Sequence, residues 1–202
     1  MPMHASHFAV VTLCAALLAL PASAAAPFRN LPGADAPASV ATVGGDTCID
    51  YGGWIVTTRP LADEAGTAIY VERSSRLPCG AGPSRARLVF DRGASYFVGR
   101  VGRYLVVDQG TGPSFRHLVL FDSTSRRQAF RIGYSELVGA KGNAIHFWAM
   151  TRLAAVAANC PSLAEIRRNG LTPVIERLNR LGLDAARPTL RESGTLRCAS
   201  VQ

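Results

Sequence analysis

Between about residues 47 and 151 apolar side chains come in short runs or alternate with polar ones, and Gly, Pro or Asp interrupts them at intervals of roughly 8 to 14 residues. Runs of this length read as strands buried on one or both faces. Strands are therefore predicted over 53–59, 68–73, 86–91, 95–101, 103–108, 117–122, 128–133 and 144–151, in a meander of hairpins. The character changes after Trp148. Residues 151–158 are alanine-rich, Asn159-Cys160-Pro161-Ser162 reads as a turn into a helix, and Ser162 with Glu165 forms a capping-box pattern that Gly170 would terminate. In Leu171-Thr172-Pro173 the threonine can cap and the proline can take the first helical position. Val174, Ile175, Leu178 and Leu181 then share one helical face, which favours a helix over 174–183, with a strand packed on the sheet as the alternative. A final hairpin or edge strand is expected over 189–201.

The most sharply patterned unit is 104–134, YLVVDQGTGPSFRHLVLFDSTSRRQAFRIGY. Two apolar strands flank the polar loop 109–116, and Asp122 then opens a turn, because its carboxylate can accept from backbone N–H groups two residues on. With its LVLFDSTS segment this unit resembles one blade hairpin of a β-propeller, and RLVFDRGASYFV at 87–98 is a fainter echo. A chain of this length that also carries a helical tail cannot supply the four or more four-stranded blades of a closed propeller. The expected fold is mainly β, an antiparallel meander, small barrel, sandwich or partial propeller-like sheet, with a short C-terminal helical segment at about 161–182.

Residues 1–26 read as a signal peptide. The apolar run 8–20 is too short to span a bilayer and leads into PASAAAP, the small-residue context that a signal peptidase cuts, after Ala24 or Ala26. Cys14 follows the bulky Leu13 inside that run, so a lipid anchor is rejected. Residues 27–46, rich in Pro, Ala and Gly, are expected to be a flexible tether, with a single β-rich domain over 47–202. No later stretch approaches 18 consecutive apolar residues, so no membrane span is expected.

In an exported chain, Cys48, Cys79, Cys160 and Cys198 form an even set that points to two disulfides. Of the three connectivities that four cysteines allow, Cys48–Cys79 with Cys160–Cys198 is favoured, because each pair brackets one contiguous block. Zinc fits poorly, since C-x-x-C spacing is lacking and only His117 and His146 lie outside the leader.

The net charge of +8 lies wholly outside the leader, and Lys141 is the only lysine. Guanidinium forks suit phosphates and carboxylates, which for an exported protein means lipopolysaccharide, anionic lipid, peptidoglycan or an acidic protein. The arginines are scattered rather than blocked, however, and a compositional bias towards Arg, Ala and Gly explains them better. Without a basic run or a reader motif, nucleic acid is not expected as a partner.

Familiar catalytic signatures are missing. Gly110-Thr111-Gly112-Pro113 lacks the lysine of a phosphate loop, 133–137 lacks the second glycine of a nucleophile elbow, and no H-E-x-x-H occurs. His117 and His146 sit at or inside strands and read as structural. Asp91, Asp108, Asp122 and Glu136 lie at strand ends. A glycosidase would need two of them across a cleft at about 5 to 9 Å, although aspartates at such positions ordinarily build turns. Trp54 and Trp148, with Tyr51 and Phe147 nearby, read as core, with a sugar or peptide platform that includes a Trp near Arg152 as the alternative.

No catalytic, cofactor-binding or metal-binding residue is assigned. The expectation is an exported, non-enzymatic periplasmic or secreted protein that binds an acidic protein or an anionic envelope polymer. The alternative is a small carboxylate-dependent hydrolase of peptidoglycan or polysaccharide, with two of the four carboxylates as acid and base.

Overall fold

Three antiparallel meanders follow one another along the chain. The computed structural model describes residues 28–73, 87–90, 93–110, 112 and 116–202. The expected signal peptide, Cys79, Asp91, Thr111 and Pro113 lie outside the described residues. Sheet A holds β1 (Ser39–Val43), β2 (Asp46–Asp50), β3 (Ile55–Pro60), β4 (Thr67–Glu72) and β5 (Arg87–Phe90). Sheet B holds β6 (Ser95–Val101), β7 (Tyr104–Gln109), β8 (Arg116–Asp122) and β9 (Arg127–Tyr134). Sheet C holds β10 (Glu136–Ala140), β11 (Ala144–Met150), β12 (Thr172–Gly182) and β13 (Thr189–Val201), with the single helix among the described residues, α1 (Leu163–Arg168), between β11 and β12. Spatial order equals sequence order in each sheet. The protein is mainly β with one short helix, as the residue pattern implies.

Sheet B is the middle layer. Tyr104, Val106, Leu118 and Leu120 project to one side and pack with Ile145, Phe147, Leu181 and Leu183 on the side of sheet C. Leu105, Val107, Val119 and Phe121 project to the other and pack with Ile49, Val56, Ile69 and Val71 of sheet A. Covering both faces explains why YLVV and LVLF are continuously apolar rather than alternating. Each fully buried aliphatic or aromatic side chain contributes about 1.5 to 3 kcal/mol, which makes this double interface the main source of cohesion.

Three expectations need correction. The helical segment at 161–182 shrinks to α1, and 172–182 is strand β12. Val174, Ile175, Leu178 and Leu181 share a helical face only by coincidence of spacing. Pairing to β11 and β13 on both sides satisfies the β12 backbone, and its odd positions Ile175, Asn179 and Leu181 are buried by alternation. Pro173 is tolerated because it lies at the start of the strand.

The capping box does not form. Ser162 makes no side-chain cap bond, and its hydroxyl lies instead 3.7 Å from Cys198 Sγ. Gly170, at φ +72°, does end the helix, donating its N–H to Arg167 O at 3.0 Å.

The tether is a strap. Leu31 and Asp35 donate their N–H groups to Val98 O at 2.7 Å and Arg100 O at 2.8 Å, and Pro32 O accepts from Ala140 N at 2.7 Å, so the segment bridges the edges of β6 and β10. Leu31 is buried in the core between sheets B and C, and Phe28 stacks on Phe97 at 5.6 Å. Both edge strands bulge at a glycine, Gly99 (φ +147°) and Gly139 (φ +151°), where the strap comes too close for a Cβ, by Asn30 Oδ1 at Gly99 and by Pro32 O at Gly139. Order therefore begins before Cys48, with β1 starting at Ser39.

The favoured Cys160–Cys198 disulfide is present, with Cα atoms 4.9 Å apart, and pins the turn before α1 to β13. Cys48 is also held in a disulfide, while its expected partner Cys79 lies outside the described residues.

Candidate functional site

The carboxylates singled out in the sequence do not converge. Asp108 accepts from Arg116 Nε at 2.7 Å and from a second guanidinium nitrogen, a fork-on-fork pair at the far end of β7. Asp122 Oδ1 accepts from the N–H groups of Thr124 at 2.8 Å and Ser125 at 3.1 Å, so the expected aspartate turn forms, and Oδ2 lies 3.3 Å from Arg103 Nε. Asp122 pairs in register with Tyr104, four positions along β7 from Asp108, which separates the two carboxylates by about 13 Å at the usual strand rise. Glu136 sits in sheet C with its Oε2 2.6 Å from Arg197, whose Nε also donates to the buried Glu176 at 2.7 Å. Asp91 lies outside the described residues.

The remaining single residues are structural in placement. His117 lies half-buried opposite Gln109 and Gly133, and His146 half-buried between Gly139 and Arg180. Arg73 covers the Trp54 ring at 5.5 Å. Arg197 covers Trp148 at 4.3 Å, taking the place expected for Arg152. Phe147 and Tyr51 are buried in the two interlayer cores.

What the fold does assemble is a cationic end. The hairpins of sheets B and C turn at the same end of the molecule, through Gly102-Arg103, residues 123–126, Gly142-Asn143 and the 183–188 loop. Gly102 (φ +58°) and Gly142 (φ +56°) allow the tight two-residue loops, and Arg126 (φ +57°) is the one non-glycine residue with positive φ among the described residues. These turns carry Arg103, Arg126, Lys141 and Arg187, with Arg127 next to them, against the carboxylates Asp122 and Asp184 and that of Asp35 in the strap, whose Oδ2 accepts from Gly102 N–H at 3.1 Å and lies 3.5 Å from Arg100 Nε. Close behind, on the outer face of sheet C, His146, Arg180 and Arg191 stand directly opposite one another in register. Among the described residues none of these three has an acidic partner.

No protein-family model matches the chain, and neither a curated protein nor a solved structure matches it.

Arg103 anchors this end. Its guanidinium donates to Tyr104 Oη at 2.8 Å and to Ala186 O at 2.8 Å, so one side chain ties the β6–β7 turn to the β12–β13 loop. Two clefts flank it, one of about 350 Å³ towards Asn143 and Leu183 and one of about 610 Å³ towards Arg127 and Arg187. The larger cleft is lined by guanidinium, hydroxyl and amide groups together with Ala129, Ala186 and Pro188, with Asp122 as its single carboxylate. Its chemistry is donation to anions. Scattered sequence positions concealed this end, because its cations come from four separate hairpins, and only the topology gathers them.

Among the described residues no helix is long and apolar enough to cross a membrane.

Proposed function

We propose that the protein is an exported, non-enzymatic protein of the cell envelope, periplasmic or secreted, whose cationic end binds an anionic envelope component or an acidic protein. The observation that carries this reading is the convergence of Arg103, Arg126, Arg127, Lys141, Arg180, Arg187 and Arg191 on one end where they outnumber the carboxylates Asp35, Asp122 and Asp184, of which Asp35 already lies beside Arg100 and Asp122 beside Arg103. Arginine forks presented by rigid hairpin turns suit phosphate and carboxylate groups. The Cys160–Cys198 disulfide fits an oxidising compartment. The hydrolase alternative gains no support, because Asp108, Asp122 and Glu136 are each engaged by an arginine and lie apart.

The test uses purified protein lacking residues 1–26, immobilised and exposed to solubilised envelope at about 50 and 500 mM salt, a range over which surface electrostatics are screened. Retention of an anionic component at low salt and its release at high salt is expected. A protein that retains no envelope component under either condition overturns the reading.

A further inference from the structure

We infer that the 610 Å³ cleft between the β8–β9 turn and the β12–β13 loop is a binding site for a phosphate monoester, an assignment that rests on the anion-binding reading above. Arg103, Arg127 and Arg187 line the cleft and Asp122 is its only carboxylate, which leaves two uncompensated positive charges. A phosphate monoester carries about −1.5 to −2 at neutral pH and three acceptor oxygens, and so matches that surplus, whereas a diester or a lone carboxylate brings a single charge. The donors match as well. Asp122 spends Oδ1 on the backbone of Thr124 and Ser125 and Oδ2 on Arg103, so the hydroxyls of those two residues and the guanidinium groups of Arg127 and Arg187 stay available to a ligand. Arg103 is already immobilised by Tyr104 and Ala186, so little side-chain entropy is lost when an anion meets it. Arg127 and Arg187 are exposed on opposite walls and would close over the phosphate from the two sides.

The monoester can belong to a lipid headgroup or to a soluble phosphate, and the experiment separates the two. Mature protein is titrated with phosphatidylcholine vesicles carrying phosphatidic acid, with vesicles carrying phosphatidylglycerol at equal surface charge, and with inorganic phosphate followed by a rise in Tm. The variants are R127A/R187A in the cleft and R167A/R168A on α1, which removes the same charge elsewhere. Tighter binding of phosphatidic acid than of phosphatidylglycerol is expected, with a loss of about tenfold or more in R127A/R187A and less than about twofold in R167A/R168A. Stabilisation by inorganic phosphate without vesicle binding, abolished in R127A/R187A, also supports the cleft and assigns it a soluble ligand. Equal losses in both double variants, or equal affinity for monoester and diester surfaces, overturns the assignment while leaving general anion binding intact. Failure to bind any of these probes at low salt overturns both.

Discussion

Tyr51 carries its hydroxyl into the core between sheets A and B, where Oη is buried and finds no hydrogen-bond partner among the described residues. Burial first, and then the nearby Asp35, push its ionisation well above the usual phenol range, while Arg100 opposes them. Tyr134 is shifted the same way, by burial and then by its hydrogen bond to Asp108. A raised acid pKa in the folded state means that the neutral phenol is what the fold accommodates. The associated stability is complete below the unfolded-state value near 10 and is lost as pH rises beyond it. The denaturant midpoint is therefore expected to be flat from about pH 8 to 9.5 and to fall above about pH 10. Tyr51→Phe removes a polar group that nothing satisfies, so at pH 7 it should leave stability unchanged or raise it by up to about 1 kcal/mol, with a larger advantage above pH 10. A clear loss of stability in denaturant titrations at pH 7 would mean that the hydroxyl is bonded after all.

At the scale of elements, the strap over 28–38 depends on what its neighbours lack. A Cβ on Gly139 would stand 2.8 Å from Pro32 O at a φ of +151°, so Gly139→Ala must displace the strap or strain the bulge. A cost of about 2 kcal/mol or more is expected, against less than about 0.5 kcal/mol for Gly194→Ala in β13, where φ is ordinary and space is open. Thermal unfolding of the two variants checks the contrast. The Cys160–Cys198 bridge spans 38 residues of sequence, and its removal as C160A/C198A is expected to cost about 3 to 4 kcal/mol on the chain-entropy estimate. These elements also mark how far the residue pattern could be read. Strands such as β6 and β8 were legible because their apolar runs reflect burial directly. The strap was not, because its hold is largely backbone hydrogen bonding to Val98, Arg100 and Ala140, beside the bulged glycines of β6 and β10, which leaves no apolar period. In β12 a helical spacing and a strand coincide, and only pairing to β11 and β13 decides between them.

For the molecule as a whole, the cationic end was illegible for the opposite reason: every residue in it is visible in the sequence, yet nothing local says that hairpin turns separated along the chain share one surface. The facing pair Arg180 and Arg191 makes that end costly to the fold. Like charges directly opposite on neighbouring strands destabilise a sheet by a few tenths to about 1 kcal/mol, and a surface shaped by stability alone would alternate their signs, as Arg197 and Glu176 do elsewhere on the same face. A local rule broken without compensation fits the proposal that this surface binds anions. Replacing the pair as R180T/R191T should therefore act in two directions at once. Stability at low salt is expected to rise by about 0.5 to 1 kcal/mol, a gain that shrinks in 1 M salt as the repulsion is screened. Affinity for anionic vesicles should fall several-fold in the same variant. Denaturant titration and vesicle co-sedimentation on one preparation read both. If stability rises while binding is untouched, the pair is a tolerated defect and the anion-binding surface contracts to the turns and the cleft around Arg103.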